Sequence, residues 1–210
     1  MERSKTGRNC DYERDKKGVV ITVILVVAIF LAFVCAERIR YVNRQLQDAP
    51  VQKFQTGETV AFEKDILIND TMEGYSVRVD RAEILDYKDF LEKYDAEDEY
   101  TYVPDKVYDV EVTLKNTDAD EGTGINLIEF YVQGPAVVCG LNTDLLGVAN
   151  PQLDGVYAIA LRDNTELVLH LPFDLNEAYF KERTWDHLED LDINLVATLY
   201  PVKKVIALEK

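Results

Sequence analysis

The sequence predicts a mainly β protein: a single N-terminal transmembrane helix followed by one antiparallel β-sandwich with one or two short helices. Three observations carry that expectation. Residues 18–36 form an apolar run without a charged side chain. From about residue 54, apolar and polar residues alternate with a period of two, as half-buried strands do. The breaks between those stretches carry Gly, Pro, Asn or Asp, the residues that turns require. A length of 210 residues leaves room for one ordinary domain plus a tail.

Residues 1–17 are a basic head, with Arg3, Lys5, Arg8, Arg14, Lys16 and Lys17 against four acidic residues. Gly18 to Ala36 follow, 19 residues in which Thr22 is the only clearly polar side chain. A helix of that length spans about 28 Å, close to the hydrocarbon thickness of a bilayer. Thr22 adds little cost in lipid, because its hydroxyl can bond a carbonyl one turn back. A helix buried in a soluble core would break its apolar run with polar residues on one face. Residues 18–36 therefore read as a transmembrane helix whose partner is membrane lipid. An uncleaved anchor is the primary reading, since secretory signals usually carry a shorter apolar region. Val34-Cys35-Ala36 leaves open cleavage after Ala36, and Cys35 leaves open lipidation, although Ala32-Phe33-Val34 fits a lipoprotein signal poorly.

Residues 37–53 read as a stalk or linker. Ile39, Val42 and Leu46 keep helical spacing, and Pro50 ends it because it lacks an amide hydrogen. Six Lys and Arg precede the apolar run, whereas Arg38, Arg40 and Arg44 follow it closely. The positive-inside rule then keeps the N-terminus in the cytoplasm and places the C-terminal domain outside, in a single-pass protein of the cell membrane. The formal net charge is −16 overall, of which residues 49–210 carry −19. That acid excess argues against a nucleic-acid partner, since phosphate contacts need clustered Lys and Arg. It also keeps an exposed domain soluble and holds it off anionic lipid and wall polymers.

Within the extracytoplasmic domain, residues 54–210, Thr59–Ile68 read as one or two strands and Tyr75–Asp80 as another. Tyr108–Lys115 is the clearest strand, with four apolar residues on one face and four polar ones on the other. Residues 116–122 form a turn. Further strands are expected at 125–133, 136–140, 156–161, 166–172, 192–200 and 203–208, with helices over Ala82–Tyr94 and Leu175–Leu191. Many short strands with two minor helices indicate a β-sandwich.

The succession Gly74-Tyr-Ser-Val77, Tyr108-Asp-Val-Glu-Val-Thr-Leu-Lys-Asn116, Ile125-Asn-Leu-Ile-Glu-Phe-Tyr131 and Thr165-Glu-Leu-Val-Leu-His-Leu-Pro-Phe173 resembles a known type. It is similar to the uncharacterised immunoglobulin-like surface domains of Gram-positive bacteria, which are anchored by an N-terminal span or a lipoprotein signal. The resemblance covers about residues 50–210 and rests on strand patterns. It implies an exported immunoglobulin-like sandwich and carries over no catalytic residue.

The search for chemistry yields no catalytic, cofactor-binding or metal-binding residue. Asn116, Asp118 and Asp120 resemble the start of a calcium loop. That loop needs Gly sixth and Glu twelfth, where this chain has Glu121 and Leu127. The run Asp95 to Glu99 reads as a solvated loop. Asp186 and His187 are adjacent, which does not make side chains face each other. His170 lies on the strand face opposite Leu167, Leu169 and Leu171, as a surface or cross-strand residue. Ser4 and Ser76 are the only serines, without a nucleophile-elbow context. The three cysteines fall in three compartments, and Cys139 reads as a small core residue. The expected function is therefore that of a non-catalytic membrane-anchored binding protein of the bacterial cell envelope, with an envelope protein or cell-wall component as partner. The alternative is a cell-wall hydrolase using a carboxylate pair in an acidic cleft.

Overall fold

A computed structural model describes residues 6–45, 50–69, 71–97, 103–120, 122–135 and 137–209. It divides into two compact units, Met1–Asp48 and Ala49–Lys210.

In the first unit a continuous helix, α1 (Thr6–Gln45), runs through the apolar segment. Its stretch Ile21–Val42 is long and apolar enough to cross a membrane, and every side chain in that stretch is exposed. An apolar surface that runs all round a helix suits lipid rather than water. The helix continues past Ala36, so residues 37–45 of the stalk are helical, as their spacing predicts, with Arg40 bonding Glu37 one turn away at 2.9 Å. Leu46, the last residue of that spacing, lies outside the described residues.

The second unit is mainly β. In chain order its elements are β1 (Val51–Phe54), β2 (Thr59–Ala61), β3 (Tyr75–Asp86), α2 (Tyr87–Lys93), β4 (Lys106–Asn116), β5 (Ile125–Asn126), β6 (Tyr131–Gln133), β7 (Val138–Gly140), α3 (Thr143–Ala149), β8 (Ala158–Ile159), β9 (Glu166–Leu175), α4 (Glu182–Trp185), β10 (Asn194–Thr198) and β11 (Lys203–Ala207). They form a five-stranded sheet of order β1-β11-β10-β6-β7, a four-stranded sheet of order β2-β3-β4-β9, and a small β5-β8 pair. Among the described residues every strand pairing is antiparallel except β1 with β11. Both large sheets feed one apolar core, Val77, Val110, Leu169 and Leu171 from one and Val132, Leu195 and Ile206 from the other.

Strand β4 follows its sequence pattern: Tyr108, Val110, Val112 and Leu114 are fully buried in the core, while Asp109, Glu111, Thr113 and Lys115 take the other face. β1 draws residues 51–53 out of the stalk and into the sheet, pairing Val51 with Lys203. The helix expected over 82–94 is shorter, because residues 82–86 extend β3. A bulge between Val79 and Arg81 shifts the register, so the strand stays paired with β4 as far as Asp86. The bulge breaks the period of two and hides the strand in the sequence. The helix expected over 175–191 is also replaced. Leu175 ends β9 in the core, and three short turns follow, at Glu177–Tyr179, Glu182–Trp185 and Leu188–Asp190. Phe180 is extended (φ −115°, ψ 157°), which prevents one continuous helix.

The span 125–133 is likewise split by a 3-10 turn at Leu127–Glu129, and after β2 only Ile66 of residues 62–68 makes a bridge. Besides β1, α3 has no counterpart in the sequence reading; its first turn is capped by the Asn142 side chain accepting from the Leu145 amide at 2.9 Å. With α2 it covers part of the outer face of the four-stranded sheet, where Tyr87, Phe90, Leu91, Val107, Leu145 and Ala149 form a second apolar cluster.

Candidate functional site

Beside that second cluster, on the same outer face, lies a group of titratable side chains from three elements. Asp109 points away from the main core, yet its side chain is 1% exposed. Lys93 Nζ donates to Asp109 Oδ2 at 2.5 Å, the Tyr94 hydroxyl donates to the same oxygen at 2.6 Å, and His170 Nδ1 lies 3.1 Å from Oδ1. β4 supplies the carboxylate, the end of α2 supplies Lys93 and Tyr94, and β9 supplies His170. Glu111, cross-strand from His170, is 4.0 Å from its Nε2, and Glu83 on β3 takes a second bond from Lys93 at 2.8 Å. Burial alone would push the Asp109 carboxyl up, but bonds from His170, Lys93 and Tyr94 outweigh it and hold the carboxyl below its usual range. The Tyr94 hydroxyl is pushed far up by burial and by Asp109.

This group is closed. Asp109 has its oxygens occupied by donors of its own fold, and Asn150 seals the strand edge next to it. The Asn150 amide, 1% exposed, donates to the His170 carbonyl at 2.7 Å and accepts from the His170 amide at 2.9 Å. The arrangement docks α2 on the sheet and blunts an edge strand that would otherwise offer both groups for pairing. A second buried charge is paired within the fold. Lys204, 2% exposed, lies 2.8 Å from Asp65 and 2.5 Å from Glu63, and donates to the Ala61 carbonyl at 2.8 Å. Burial would lower this ammonium, but its bonds to Asp65 and Glu63 hold it above its ordinary value.

His170 is thus a cross-strand residue, as its position in β9 implies. His187 is exposed, its Nδ1 3.0 Å from the Arg183 carbonyl rather than engaged with Asp186. Asn116 is buried, its Oδ1 accepting from the Ala119 amide at 2.9 Å, and it therefore organises the turn while Asp118 and Asp120 are exposed. Asp95 and Glu97 are exposed, and Asp98 and Glu99 lie outside the described residues. Cys139 is buried in the core, where burial and then Asp174 raise its thiol to about 11. Ser76 is buried within β3.

The outer face of the five-stranded sheet differs from the rest of the unit. Strand register puts Val51 and Lys53 of β1, Lys203, Val205 and Ala207 of β11, Asn194 and Val196 of β10, Tyr131 and Gln133 of β6, and Val138 of β7 on that side. These positions hold two lysines and no carboxylate. Lys203 reaches across β10 to Gln133, their terminal atoms 2.5 Å apart, and Val196 and Val205 on this side are buried. Val51 and Val138 are 55% and 64% exposed near its two edges. Between Lys53, Lys203, Gln133 and Asn194 the face dips into a shallow pocket, with Pro135 and Asp192 on its rim. Period-two alternation was the signal for this face, but only the pairing of five strands gathers the residues together.

A mainly β domain on a chain that also carries one helix of membrane-crossing length defines the class. The chain belongs to a family described as a domain of unknown function (DUF5028), whose pattern matches residues 51–204. Neither a curated protein nor a solved structure matches the chain significantly.

Proposed function

We propose that this is a non-catalytic, single-pass membrane protein of the Gram-positive bacterial envelope whose C-terminal unit is held outside the cell to bind a partner. The observation that carries the binding role is the outer face of the five-stranded sheet, whose strand positions hold exposed Val51 and Val138, two lysines and no carboxylate on a unit with a strong acid excess. Exposed apolar surface with a polar rim is how interaction sites differ from ordinary surface. Supporting the outward orientation are the six basic residues ahead of the apolar segment. Supporting an immunoglobulin-like sandwich is the connectivity. β3–β4, β6–β7 and β10–β11 are neighbouring antiparallel pairs, whereas β4 to β6, β7 to β9 and β9 to β10 change sheets, in the manner of a Greek key. Against a hydrolase stands the way Asp109, the most buried carboxylate of its face, is occupied by Lys93, Tyr94 and His170.

The test is crosslinking in intact cells at native expression, followed by recovery of the full chain. A specific adduct supports the binding role, and a chain that stays monomeric and unpartnered overturns it. The full chain releasing product from wall sugar or peptide would establish the hydrolase instead.

A further inference from the structure

We infer that Lys204 and Asp65 close into a side-chain amide bond, an intramolecular crosslink that ties the last strand of the second unit to the turn after β2. The alternation that sends Ile206 of β11 into the core sends Lys204 inward as well, and its side chain is 3% exposed. Asp65, with a side chain 6% exposed, meets it with Oδ2 2.8 Å from Nζ.

That oxygen is the anomaly. Asp65 Oδ2 is buried and accepts no hydrogen bond among the described residues, although the ammonium stands against it. A pair settled as ions directs a donor at each buried oxygen. The Lys93–Asp109 pair does this, with both Asp109 oxygens in hydrogen-bond contact. The other contacts at Lys204 are ones that an amide would keep. Nζ donates to the Ala61 carbonyl at 2.8 Å, as an amide N–H can. Asp65 Oδ1 accepts from the Val202 amide at 3.2 Å, as an amide carbonyl can. Only the oxygen without a hydrogen bond has to leave. Glu63 Oε2, 2.5 Å from Nζ, supplies a base, and a left-handed backbone at Glu63 (φ 56°) holds it in this turn.

The reaction balances without a cofactor. Glu63 takes one proton from the ammonium, and the freed amine attacks Cγ of Asp65. The C–N bond forms and the Cγ–Oδ2 bond breaks. Oδ2 leaves as water, carrying the proton held by Glu63 and a second one from Nζ. One hydrogen stays on the amide nitrogen, both buried charges vanish, and Glu63 ends as the carboxylate it began as. The first transfer is uphill, because Asp65 and Glu63 hold the ammonium above its ordinary value. Fixed contact offsets this, since oriented groups react as if at about 10⁵–10⁸ M. The pair is therefore made as ions and closes after folding. The unit's single cysteine, Cys139, leaves it without an internal disulfide. An amide from residue 65 to residue 204 would restrict the unfolded chain as a long-loop disulfide does.

The test is peptide mapping by mass spectrometry, on full-length chain recovered from its native membrane at intervals after synthesis. The expected product is a branched peptide joining the stretches that contain Asp65 and Lys204. It should be lighter by one water than the two stretches apart and accumulate with time, with no such branch between Asp109 and Lys93. Lys204→Arg keeps the cation without a reactive amine and should abolish the branch. Glu63→Gln, at a side chain 69% exposed, guards against misfolding and should slow accumulation at least tenfold. A parent chain in which the two stretches stay separate at every interval would overturn the inference. So would a branch that persists in Lys204→Arg or joins Asp65 to another lysine, and an unchanged rate in Glu63→Gln would overturn the proton route.

Discussion

Replacing Asn150 by alanine removes the side chain that seals the outer edge of β9. Its amide donates to the carbonyls of His170 at 2.7 Å and Leu146 at 2.9 Å, and accepts from the His170 amide at 2.9 Å. The Leu146 carbonyl keeps a partner, because the Asn150 backbone amide also donates to it at 3.0 Å. The His170 amide and carbonyl lose theirs. A buried backbone group left unsatisfied costs about 1–3 kcal/mol, so the pair predicts a loss of about 2–4 kcal/mol. For a domain of this size that is a fall of roughly 5–15 °C in Tm. Urea unfolding of the full chain in detergent micelles, followed by fluorescence of Trp185, the chain's single tryptophan, measures it directly. The His170 amide should also exchange its hydrogen faster than in the parent chain. A loss below about 0.5 kcal/mol, the size of an ordinary surface substitution, would refute the sealed-edge argument.

Other consequences follow from the buried charges. The folded Asp109 carboxyl titrates below its ordinary value, so its contribution is present above about pH 4 and is lost as pH falls through the folded value. Acid unfolding should therefore show a limb that flattens in Asp109→Asn, read from urea midpoints between pH 2 and 5, a range set by about the ordinary carboxyl value. Lys204→Met strands Asp65 without its cation and should cost about 3–5 kcal/mol. Adding Asp65→Leu should recover most of that loss in the same denaturant assay, because the desolvated carboxylate is gone as well. Cys139, buried and with its thiol raised to about 11, should resist alkylation by iodoacetamide at neutral pH until denaturant opens the fold, as peptide mass spectrometry would show.

Much of this architecture was legible in the residues. The apolar run needs no tertiary context to read as a spanning helix, and β4 declares itself because one face is buried and the other is polar. What failed did so for physical reasons. A single bulge at Asp80 shifted the alternation of β3, so its second half imitated a helix. Leu175 is apolar because β9 ends in the core, and Phe180, Trp185 and Leu188 because separate turns set them in or against it, not because the four share a helical face. α3 left a readable signal in Asn142 followed by Leu145, Leu146 and Ala149, but a helix of seven residues is too short for periodicity to stand out. The sites were less legible still. Asp109 joins Lys93, Tyr94 and His170 across three elements, and the outer face of the five-stranded sheet is gathered only where β1 pairs with the last strand.

The central claim is that the acidic unit is tethered to the membrane and displayed outside it. Protease treatment of intact, wall-stripped cells, with an epitope at the N-terminus and blotting for the tag, tests this most directly. The account predicts that the protease removes residues 49–210 without lysis and leaves a tagged, carbonate-resistant fragment carrying α1. A full-length chain protected until the cells are lysed, or a chain that washes off the membrane in carbonate, would contradict it.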